Sequence, residues 1–424
     1  MLRLIDVVSQ SPRVFAEAVE RAVLDEMVAL AEPLRGLRVL HLNATPYGGG
    51  VSELLRSEVP LLLGLGIRAE WRVIAPDEPF FRVTKALHNA LQGADLSLTA
   101  EECATYCEHN ERNASFLDPG YDIVIVHDPQ PAAMRHFAPA NGARWVWRCH
   151  IDTSQPNAEA WAFLRPFVTN YDAVVFTMRE FVPPELDGDR VAVIPPAIDP
   201  LSPKNMPLPR ALARRIMEWV GVRTDRPVMT QVSRFDPWKD PLGVIEVYRH
   251  VREQLPDLQL ALLGSMALDD PEGWDIYHAI LDETKDDPEV HVFTNLTGIS
   301  SVEVNAFQAL SDVVIQKSIR EGFGLVVSET LWKGTPIVSL RAGGIPLQIP
   351  PESRALLVDS TEECAERALQ LLQHPKEARE LGAHGREWVR KRFLLPRLVI
   401  DELCLMRRIL GLPEHVNTTN SDGV

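Results

Sequence analysis

The sequence predicts an α/β protein made of two doubly wound domains. Short apolar runs rich in β-branched residues alternate with longer amphipathic stretches along the whole chain. Continuous apolar runs are typical of strands buried on both faces, as in a parallel sheet that is covered by helices. A chain of 424 residues, of which 46% are hydrophobic, has enough apolar side chains for two such cores.

The predicted strands divide into two sets, and helical patterns lie between many of them. The first set comprises residues 37–42, 69–74, 122–126, 144–147, 173–176 and 191–194. The second set comprises residues 228–232, 259–263, 290–293, 313–316, 337–339 and 355–358. The helical patterns cover residues 51–63, 242–254, 274–284, 301–310, 326–332, 362–372 and about 376–410.

A proline-rich segment without periodicity, residues 195–209, separates the two sets. We therefore expect one domain over residues 1–205 and a second over 206–392, with a helix of about 393–416 packing back on the first. The tail 417–424 is expected to be disordered. If the carboxyl ends of the two sheets face each other, they leave a cleft, which is where such sheets bind ligands.

The composition excludes several classes of function. A formal net charge of −16 argues against a nucleic acid or an anionic membrane as partner, since proteins that bind these are usually basic. No apolar stretch reaches the roughly 20 residues of a membrane-spanning helix, and the N-terminus lacks the apolar core of a signal peptide. The five scattered cysteines suit a reducing compartment. We therefore expect a cytoplasmic protein.

Two cations follow the first strand of the second set. Arg234 and Lys239 lie between the end of that strand and a helix predicted to begin near Pro241. A guanidinium can clamp phosphate oxygens with two donors, and a lysine ammonium adds a mobile point charge. The pair is therefore suited to one diphosphate. Two solvated loop cations are the alternative that this motif alone leaves open.

A glycine turn between two glutamates follows the strand predicted at residues 313–316. Gly322 and Gly324 let the backbone pass close to a ligand, and the helix after them adds a partial positive charge. Glu321 and Glu329 can accept hydrogen bonds from the hydroxyls of a sugar or a ribose, and we expect both on the same side of the cleft. A surface pair of glutamates around a tight turn is the alternative.

Further polar or glycine-rich segments also follow predicted strands. The glycines 48–50 precede a helix and suit an anion, although a plain turn is the alternative. They do not form the G-x-G-x-x-G fingerprint, which argues against an NAD-dependent oxidoreductase. His150 follows a buried run, and a structural and a catalytic histidine are equally compatible with that place. The glycine-rich segment 342–348 either shapes a pocket or forms a turn.

Together these motifs resemble those of retaining GT-B glycosyltransferases of the glycogen synthase and sucrose synthase type. The E-x7-E pattern matches as Glu321 and Glu329, the R-x4-K pattern as Arg234 and Lys239, and the glycine loop as residues 48–50. A narrower resemblance is to the trehalose glycosyltransferring synthases, and fungal-type trehalose phosphorylases look similar over the same segments. These segments are residues 127–131, 147–152, 234–241 and 343–348, whereas 349–356 lack the glycine turn that is usual there.

The resemblance implies the GT-B fold and a reaction. A nucleoside diphosphate glucose, such as UDP- or ADP-glucose, reacts with glucose to give trehalose, with retained anomeric configuration. Arg234 and Lys239 would neutralise the leaving diphosphate. Ser233 and the backbone of the two glycine segments would assist on the donor side, namely Gly49, Gly50, Gly322, Phe323, Gly324 and Leu325.

The resemblance also implies roles for the remaining polar residues. Glu321 would bind hydroxyls of the donor sugar, Glu329 the ribose, and His150 the donor sugar near its 6-hydroxyl. The candidates for the acceptor side are Asp128, Gln130 and Asp152. No cofactor and no metal are implied, because fixed cations take the place of a metal. The implied partners are a nucleotide sugar and glucose, neither nucleic acid nor a membrane, and a homodimer is left open.

Three other activities stay open on the sequence. A retaining trehalose phosphorylase would use inorganic phosphate where the nucleotide's diphosphate lies. Another transferase of the same fold would use a different acceptor, and a sugar-nucleotide epimerase would need none. A sugar-binding protein without activity is disfavoured by the complete set of cations for a leaving group.

Overall fold

The computed structural model describes residues 2–47, 49–75, 77–186, 188–266 and 271–413. The chain divides into two compact units. The first comprises the residues up to Pro196 together with those from Leu395 onwards, and the second is Ala197–Leu394. Both are α/β units with largely parallel sheets, so the predicted fold class is confirmed.

The N-terminal unit alternates strands and helices after a short first strand. Its strands β1–β7 are Arg3–Ile5, Arg38–Asn43, Arg68–Val73, Ile123–His127, Arg144–Cys149, Ala173–Phe176 and Val191–Val193. Its helices α1–α6 are Arg21–Ala31, Gly50–Gly64, Glu78–Leu91, Ala100–Ala114, Met134–Phe137 and Ala158–Val168. β1 was not predicted from the sequence, because this three-residue strand is largely exposed and carries no apolar run.

Within the described residues, the first sheet has seven strands in the order β1-β3-β2-β4-β5-β6-β7. β1 is antiparallel to β3, and the other pairs are parallel. The chain reverses its direction of growth between β2 and β4, which makes their carboxyl ends a topological switch point. The loops after β2 and β4 are therefore the ligand-binding edge that this topology favours.

The C-terminal unit begins with a helix and then repeats the scheme. Its strands β8–β13 are Val228–Arg234, Gln259–Ser265, Val290–Thr294, Val313–Gln316, Ile337–Leu340 and Leu357–Val358. Its helices α7–α14 are Arg210–Trp219, Pro241–Arg252, Pro271–Thr284, Ser301–Leu310, Leu325–Trp332, Ile345–Gln348, Thr361–Gln373 and Pro375–Arg392. The strand predicted at 355–358 is shorter, because its first half closes the 3-10 helix Pro351–Leu356.

The second sheet has six strands within the described residues, in the order β10-β9-β8-β11-β12-β13. All of these pairs are parallel. Growth reverses between β8 and β11, so the switch point lies where the Arg234–Lys239 segment follows one strand and the Glu321 turn follows the other. The two motifs that the sequence singled out thus start from neighbouring strands.

The change of unit after Pro196 lies earlier than the residue 205 suggested by proline content. The segment after it is held by the second unit. The Asn305 amide donates to the carbonyls of Pro203 and Met206 at 3.1 and 2.9 Å, and Trp332 donates to the Asn205 carbonyl at 3.1 Å. A lack of periodicity marks a connection, but these contacts decide to which core it belongs.

The helical pattern over about 376–410 comprises two helices. α14 ends at Arg392, and a further helix α15 covers Leu395–Ile409 in the N-terminal unit. Arg397 anchors α15 there by donating to the carbonyls of Pro195 and Pro196 at 2.7 and 3.1 Å. The tail predicted to be disordered, 417–424, lies outside the described residues. Of the helices that the structure describes, none combines the length and apolarity needed to cross a membrane.

Replacing Gly382 by alanine tests the packing of α14. An added Cβ there would lie 2.0 Å from the Gly334 carbonyl oxygen. At an exposed helix position, a change from glycine to alanine raises the free energy of unfolding by about 1 kcal/mol through helix propensity. An extra methyl group in a packed core instead lowers it by about 1–3 kcal/mol. We predict that Gly382→Ala lowers the free energy of unfolding in urea. The control is Ala383→Gly at the exposed neighbouring position. It should lower the free energy of unfolding only by the difference in helix propensity, about 1 kcal/mol. A more stable Gly382→Ala protein would contradict this packing.

Lys333 predicts a pH dependence of stability. Its ammonium donates to the Asn205 side chain and to the Glu329 carbonyl, both at 3.0 Å. Burial, partly opposed by the charge of Glu329, lowers its pKa from 10.5 to about 7. The unfolded chain therefore binds more protons between these values, and stability rises with pH through this window, by at most about 1.4 kcal/mol per pH unit.

We predict that Lys333→Met removes this rise, measured by urea unfolding between about pH 7 and 9.5. Lys376→Met is the matched control, because that side chain is 86% exposed. The control should keep the pH dependence of the unchanged protein. An unchanged slope in Lys333→Met would show that Lys333 keeps its ordinary pKa in the folded protein.

Candidate active site

The loop after β8 is shaped by Asp236. Its carboxylate accepts from the Trp238 N–H at 2.7 Å and caps the 3-10 helix Pro237–Lys239. The same carboxylate pairs with the Arg234 guanidinium at 2.7 Å. Arg234 is nevertheless 52% exposed in its side chain. The sequence therefore places a guanidinium at the strand end that is oriented but open to a ligand.

Asp240 turns the chain from the 3-10 helix into α8. Its backbone is left-handed, with φ 45° and ψ 56°, which is uncommon for a residue other than glycine but tolerated best by Asp and Asn. Its carboxylate caps α8 at the Gly243 N–H, 3.0 Å away, and pairs with Lys317. The Gln231 amide holds the Lys239 carbonyl at 2.8 Å. These contacts fix the backbone from which the Lys239 side chain starts.

Lys239 and Glu321 meet at the switch point of the second sheet. The ammonium of Lys239 lies 2.6 Å from a carboxylate oxygen of Glu321, and the two side chains are 16% and 12% exposed. The same oxygen accepts from the Ser318 hydroxyl at 3.2 Å and from the Gln316 amide at 3.4 Å. The predicted cation and the first predicted glutamate are therefore parts of one polar cluster.

The glycine turn leads directly from this cluster into α11. Gly324 has φ 78° and, as a glycine, provides no side-chain cap for α11. A Cβ on Gly344 would lie 2.8 Å from the Gly322 carbonyl oxygen, so the segment 343–348 passes close behind the turn. The Gln348 side chain holds the turn and the start of α11, since it donates to the Phe323 carbonyl and accepts from the Ser328 N–H at 2.9 Å.

Glu329 and Ser233 lie at other places in the same unit. The Glu329 carboxylate is buried and bonded to the Gln308 amide at 3.1 Å and to Lys204 at 3.4 Å. It therefore contacts different side chains from Glu321. The Ser233 hydroxyl, at the end of β8, is buried and has no hydrogen-bond partner among the residues that the structure describes. Leu325 opens α11 itself.

The glycine loop of the N-terminal unit lies after β2. Gly49 precedes α2 without a side-chain cap, and Gly50 is the first residue of that helix. Gly48 lies outside the described residues. The Asn43 amide and the Ser52 hydroxyl both donate to the Thr45 carbonyl, at 2.7 and 2.6 Å. These bonds hold the loop against the N-terminus of α2.

Asp128, at the end of β4, has unusual geometry and protonation. Its φ is 65°, and its carboxylate accepts from the His150 N–H at 2.9 Å. Burial raises its pKa to about 7, although the His150 N–H and the charge of Arg148 oppose this rise. Of the other acceptor-side candidates, Asp152 accepts from the N–H and hydroxyl of Ser154 at 2.9 and 2.6 Å. The Gln130 carbonyl accepts from Asn110 at 3.1 Å.

A buried ionic cluster behind these loops was not anticipated from the sequence. Arg148 pairs with Glu402 of α15 and lies 3.8 Å from a carboxylate oxygen of Glu58 in α2. All three side chains are at most 3% exposed. The sequence does contain one signal for it. Side chains alternate between the two faces of a strand, so Arg148 lies on the face opposite to Trp145 and Trp147, where a charged residue in a buried strand needs a partner.

Three histidines line the same face of the first sheet. His41 lies in β2, His127 ends β4, and His150 follows β5. His127 is hydrogen-bonded to His41 at 3.2 Å and to His150 at 3.0 Å. The structure therefore joins His150, the one histidine singled out by the sequence, to two others. Across the described part of the chain, no group of three or more His, Cys, Asp or Glu side chains is arranged to hold a metal ion.

Known proteins resemble the chain along nearly its whole length. Residues 41–183 match the family model described as trehalose synthase, N-terminal domain, and 214–388 match glycosyl transferases group 1. A trehalose synthase of Rubrobacter xylanophilus is 52% identical over 94% of this chain and 97% of its own length. One from Pyrococcus horikoshii is 49% identical over 90% of this chain and 92% of its own.

More distant matches agree in fold. A trehalose phosphorylase of Pleurotus pulmonarius is 29% identical over 79% of this chain and 52% of its own length. An α,α-trehalose-phosphate synthase (UDP-forming) from Burkholderia xenovorans superposes with a TM-score of 0.69 at 16% identity, over 88% of this chain and 100% of that one. The two sheets are those of GT-B glycosyltransferases. From its close relatives and its fold, the chain belongs to the trehalose synthase family of GT-B glycosyltransferases.

Proposed function

We propose that this protein transfers glucose from a nucleoside diphosphate glucose to glucose, and so makes trehalose with retention of the anomeric configuration. The observation that carries the proposal is the 2.6 Å contact between Lys239 and Glu321. The contact supports the proposal because the cation would neutralise a leaving phosphate and the carboxylate would bind sugar hydroxyls, at a switch point of a doubly wound sheet. The close relatives named trehalose synthase support the choice of sugars.

The leaving diphosphate would be stabilised by groups of the C-terminal unit. Breaking the bond between the sugar and the diphosphate builds negative charge on the leaving oxygen. Fixed positive groups stabilise this charge in the transition state, because they need no reorganisation. Lys239 and the exposed Arg234 would supply full charges, and the N-terminus of α11, directly after the Gly322–Gly324 turn, would supply backbone N–H groups. The unpartnered hydroxyl of Ser233 adds a donor.

The donor's sugar and ribose would meet carboxylates of different environments. Glu321 already accepts from Ser318 and Gln316, so sugar hydroxyls can take the places of these donors or join them. Glu329 would bind the ribose by exchanging its 3.4 Å contact with Lys204 for ribose hydroxyls. In the N-terminal unit, His150 would face the donor sugar near its 6-hydroxyl, and the N–H groups at Gly49 and Gly50 would meet the phosphates.

The acceptor glucose would be bound through Asp128, Gln130 and Asp152. Asp128 with a pKa of about 7 can accept or donate a hydrogen bond near neutral pH. In the proposed reaction the bond from C1 to the phosphate oxygen breaks, and the acceptor hydroxyl attacks C1 on the same face. The leaving phosphate takes the proton of that hydroxyl. We propose that the reaction needs no metal, because Arg234 and Lys239 neutralise the diphosphate.

We predict that Lys239→Ala and Arg234→Ala each lower kcat by about 10²–10³-fold, or about 3–4 kcal/mol, while the proteins stay folded. The measurement is initial rate of glucosyl transfer, with thermal unfolding as the check on folding. Lys376→Ala is the control, because this lysine is 86% exposed on α14 and should keep full activity. Near-normal turnover in both variants would refute the assignment of the leaving-group site.

Product analysis tests the reaction itself. The protein is incubated with UDP-, ADP- or GDP-glucose, each with and without glucose. We expect trehalose and free nucleoside diphosphate from at least one donor, only when glucose is present, with the donor's anomeric configuration retained. Formation of an isomeric nucleotide sugar without glucose would instead identify an epimerase. Glucose release from trehalose that requires inorganic phosphate, without any transfer from the nucleotide donors, would identify a phosphorylase.

A further inference from the structure

The row formed by His41, His127 and His150 crosses three neighbouring strand positions of the first sheet. Nδ1 of His41 lies 3.2 Å from Nε2 of His127, and Nδ1 of His127 lies 3.0 Å from Nε2 of His150. Successive rings are inclined by only 22° and 18°. His41 and His127 are fully buried, and His150 is only partly buried. The row therefore leads from the interior to a ring that a ligand can reach.

The rings of the row are neutral near neutral pH. Burial lowers the pKa of His41 to about 4 and lowers the pKa values of His127 and His150 well below the usual value. A neutral imidazole has one N–H donor and one acceptor nitrogen. Because His127 can donate from only one of its nitrogens, the protons of both hydrogen bonds in the row must point the same way. They point either towards the interior or towards His150.

An anion lies near the interior end of the row. Burial and the charge of Glu402 raise the pKa of Glu58 well above its usual range, so Glu58 keeps its proton. Burial also acts to raise the pKa of Glu402, but a hydrogen bond from Glu58 and the charge of Arg148 outweigh it and lower this pKa. Glu402 is thus the ionised member of the pair, held by Arg148.

The charge of Glu402 selects the direction of the protons. It acts on His41 more strongly than the opposite charge of Arg148 does. Nε2 of His41 is buried and has no hydrogen-bond partner within the described ranges. A proton on Nε2 of His41 is therefore favoured. Nδ1 of His41 must then accept from His127, and Nδ1 of His127 must accept from His150.

We propose that His41 and His127 are positioning residues that hold His150 as the tautomer with an unprotonated Nδ1, which accepts a hydrogen bond from a substrate hydroxyl. The use of this acceptor rests on the proposed function, in which His150 faces the donor sugar. Glu402 of the C-terminal helix acts through the row, without touching the substrate. The 2.9 Å bond from the His150 N–H to Asp128 fixes the backbone from which this ring projects.

Nitrogen NMR of the full-length protein labelled with ¹⁵N-histidine tests the tautomer directly. His150→Gln assigns the signals, since it removes those of the outer ring. We expect a pyridine-type Nδ1 and a pyrrole-type Nε2 for His150 in the ligand-free protein. A pyrrole-type Nδ1 in His150 would overturn the proposal. This spectrum of the unchanged protein decides the matter even if a variant fails to fold.

Variants of the central ring test the relay. His127→Leu fills the space but removes both hydrogen bonds, so His150 should show a mixture of tautomers. His127→Gln keeps a donor and an acceptor in one side chain and should restore the single tautomer in large part. Glu402→Gln, which removes the anion at the inner end, should also weaken the preference. A His150 spectrum unchanged by both His127→Leu and Glu402→Gln would overturn the relay.

The kinetic arm separates this proposal from the proposed function. A single tautomer with an unprotonated Nδ1 in a protein that transfers no glucose supports the relay and rejects the proposed function. In an active protein, His127→Leu should lower kcat/KM by up to about tenfold, the effect of one neutral hydrogen bond, and His127→Gln by less. If His127→Leu shifts the tautomer of His150 but leaves kcat/KM unchanged, Nδ1 of His150 is not the acceptor for a substrate hydroxyl.

Discussion

The contact between the Lys239 ammonium and the Glu321 carboxylate joins the loops after β8 and β11. Both loops start at the point where the second sheet reverses its direction of growth, so the topology brings their first residues together whatever their sequence. The sequence then supplies opposite charges at this point and a glycine turn directly after the carboxylate. Because the pair is only 16% and 12% exposed, its attraction is screened less by water than that of a surface pair. The cation proposed for the leaving group and the carboxylate proposed for sugar hydroxyls are thus members of one cluster.

The N-terminal unit contains a second polar arrangement, whose inner part is the buried ionic cluster of Arg148, Glu58 and Glu402. Burying Arg148, Glu58 and Glu402 costs desolvation that their mutual contacts offset only when the partners stay together. Since Glu402 comes from α15, the chain must return to the first unit after building the second. This helix therefore does more than cover apolar surface. Its carboxylate balances Arg148 and sets the electrostatic environment of the histidine row.

The strands, and with them the fold class, followed from apolar runs, because strands buried on both faces leave a continuous pattern that needs no partner to be recognised. The Arg234–Lys239 and Glu321–Gly324 segments could be located for the same reason, since they directly follow such runs. The partners of Glu329 could not be predicted from the sequence, because Lys204 and Gln308 reach it through tertiary packing. The histidine row was also hidden, as His41 and His127 stand in different strands far apart in the chain. The change of unit after Pro196 lies within the predicted linker 195–209, but proline content does not report which core holds each part of such a segment.

In the proposed function, Lys239 and Glu321 act as a unit towards the donor. A double-mutant cycle measures the coupling between the two side chains. The binding free energy of UDP-glucose or ADP-glucose, whichever binds, is measured by calorimetry for the unchanged protein, Lys239→Met, Glu321→Gln and the double variant. Groups in direct contact show interaction free energies of about 0.5–3 kcal/mol in such a cycle, and we expect a value in this range. Strictly additive effects of the two substitutions would mean that the two side chains serve separate places and would contradict a single donor site.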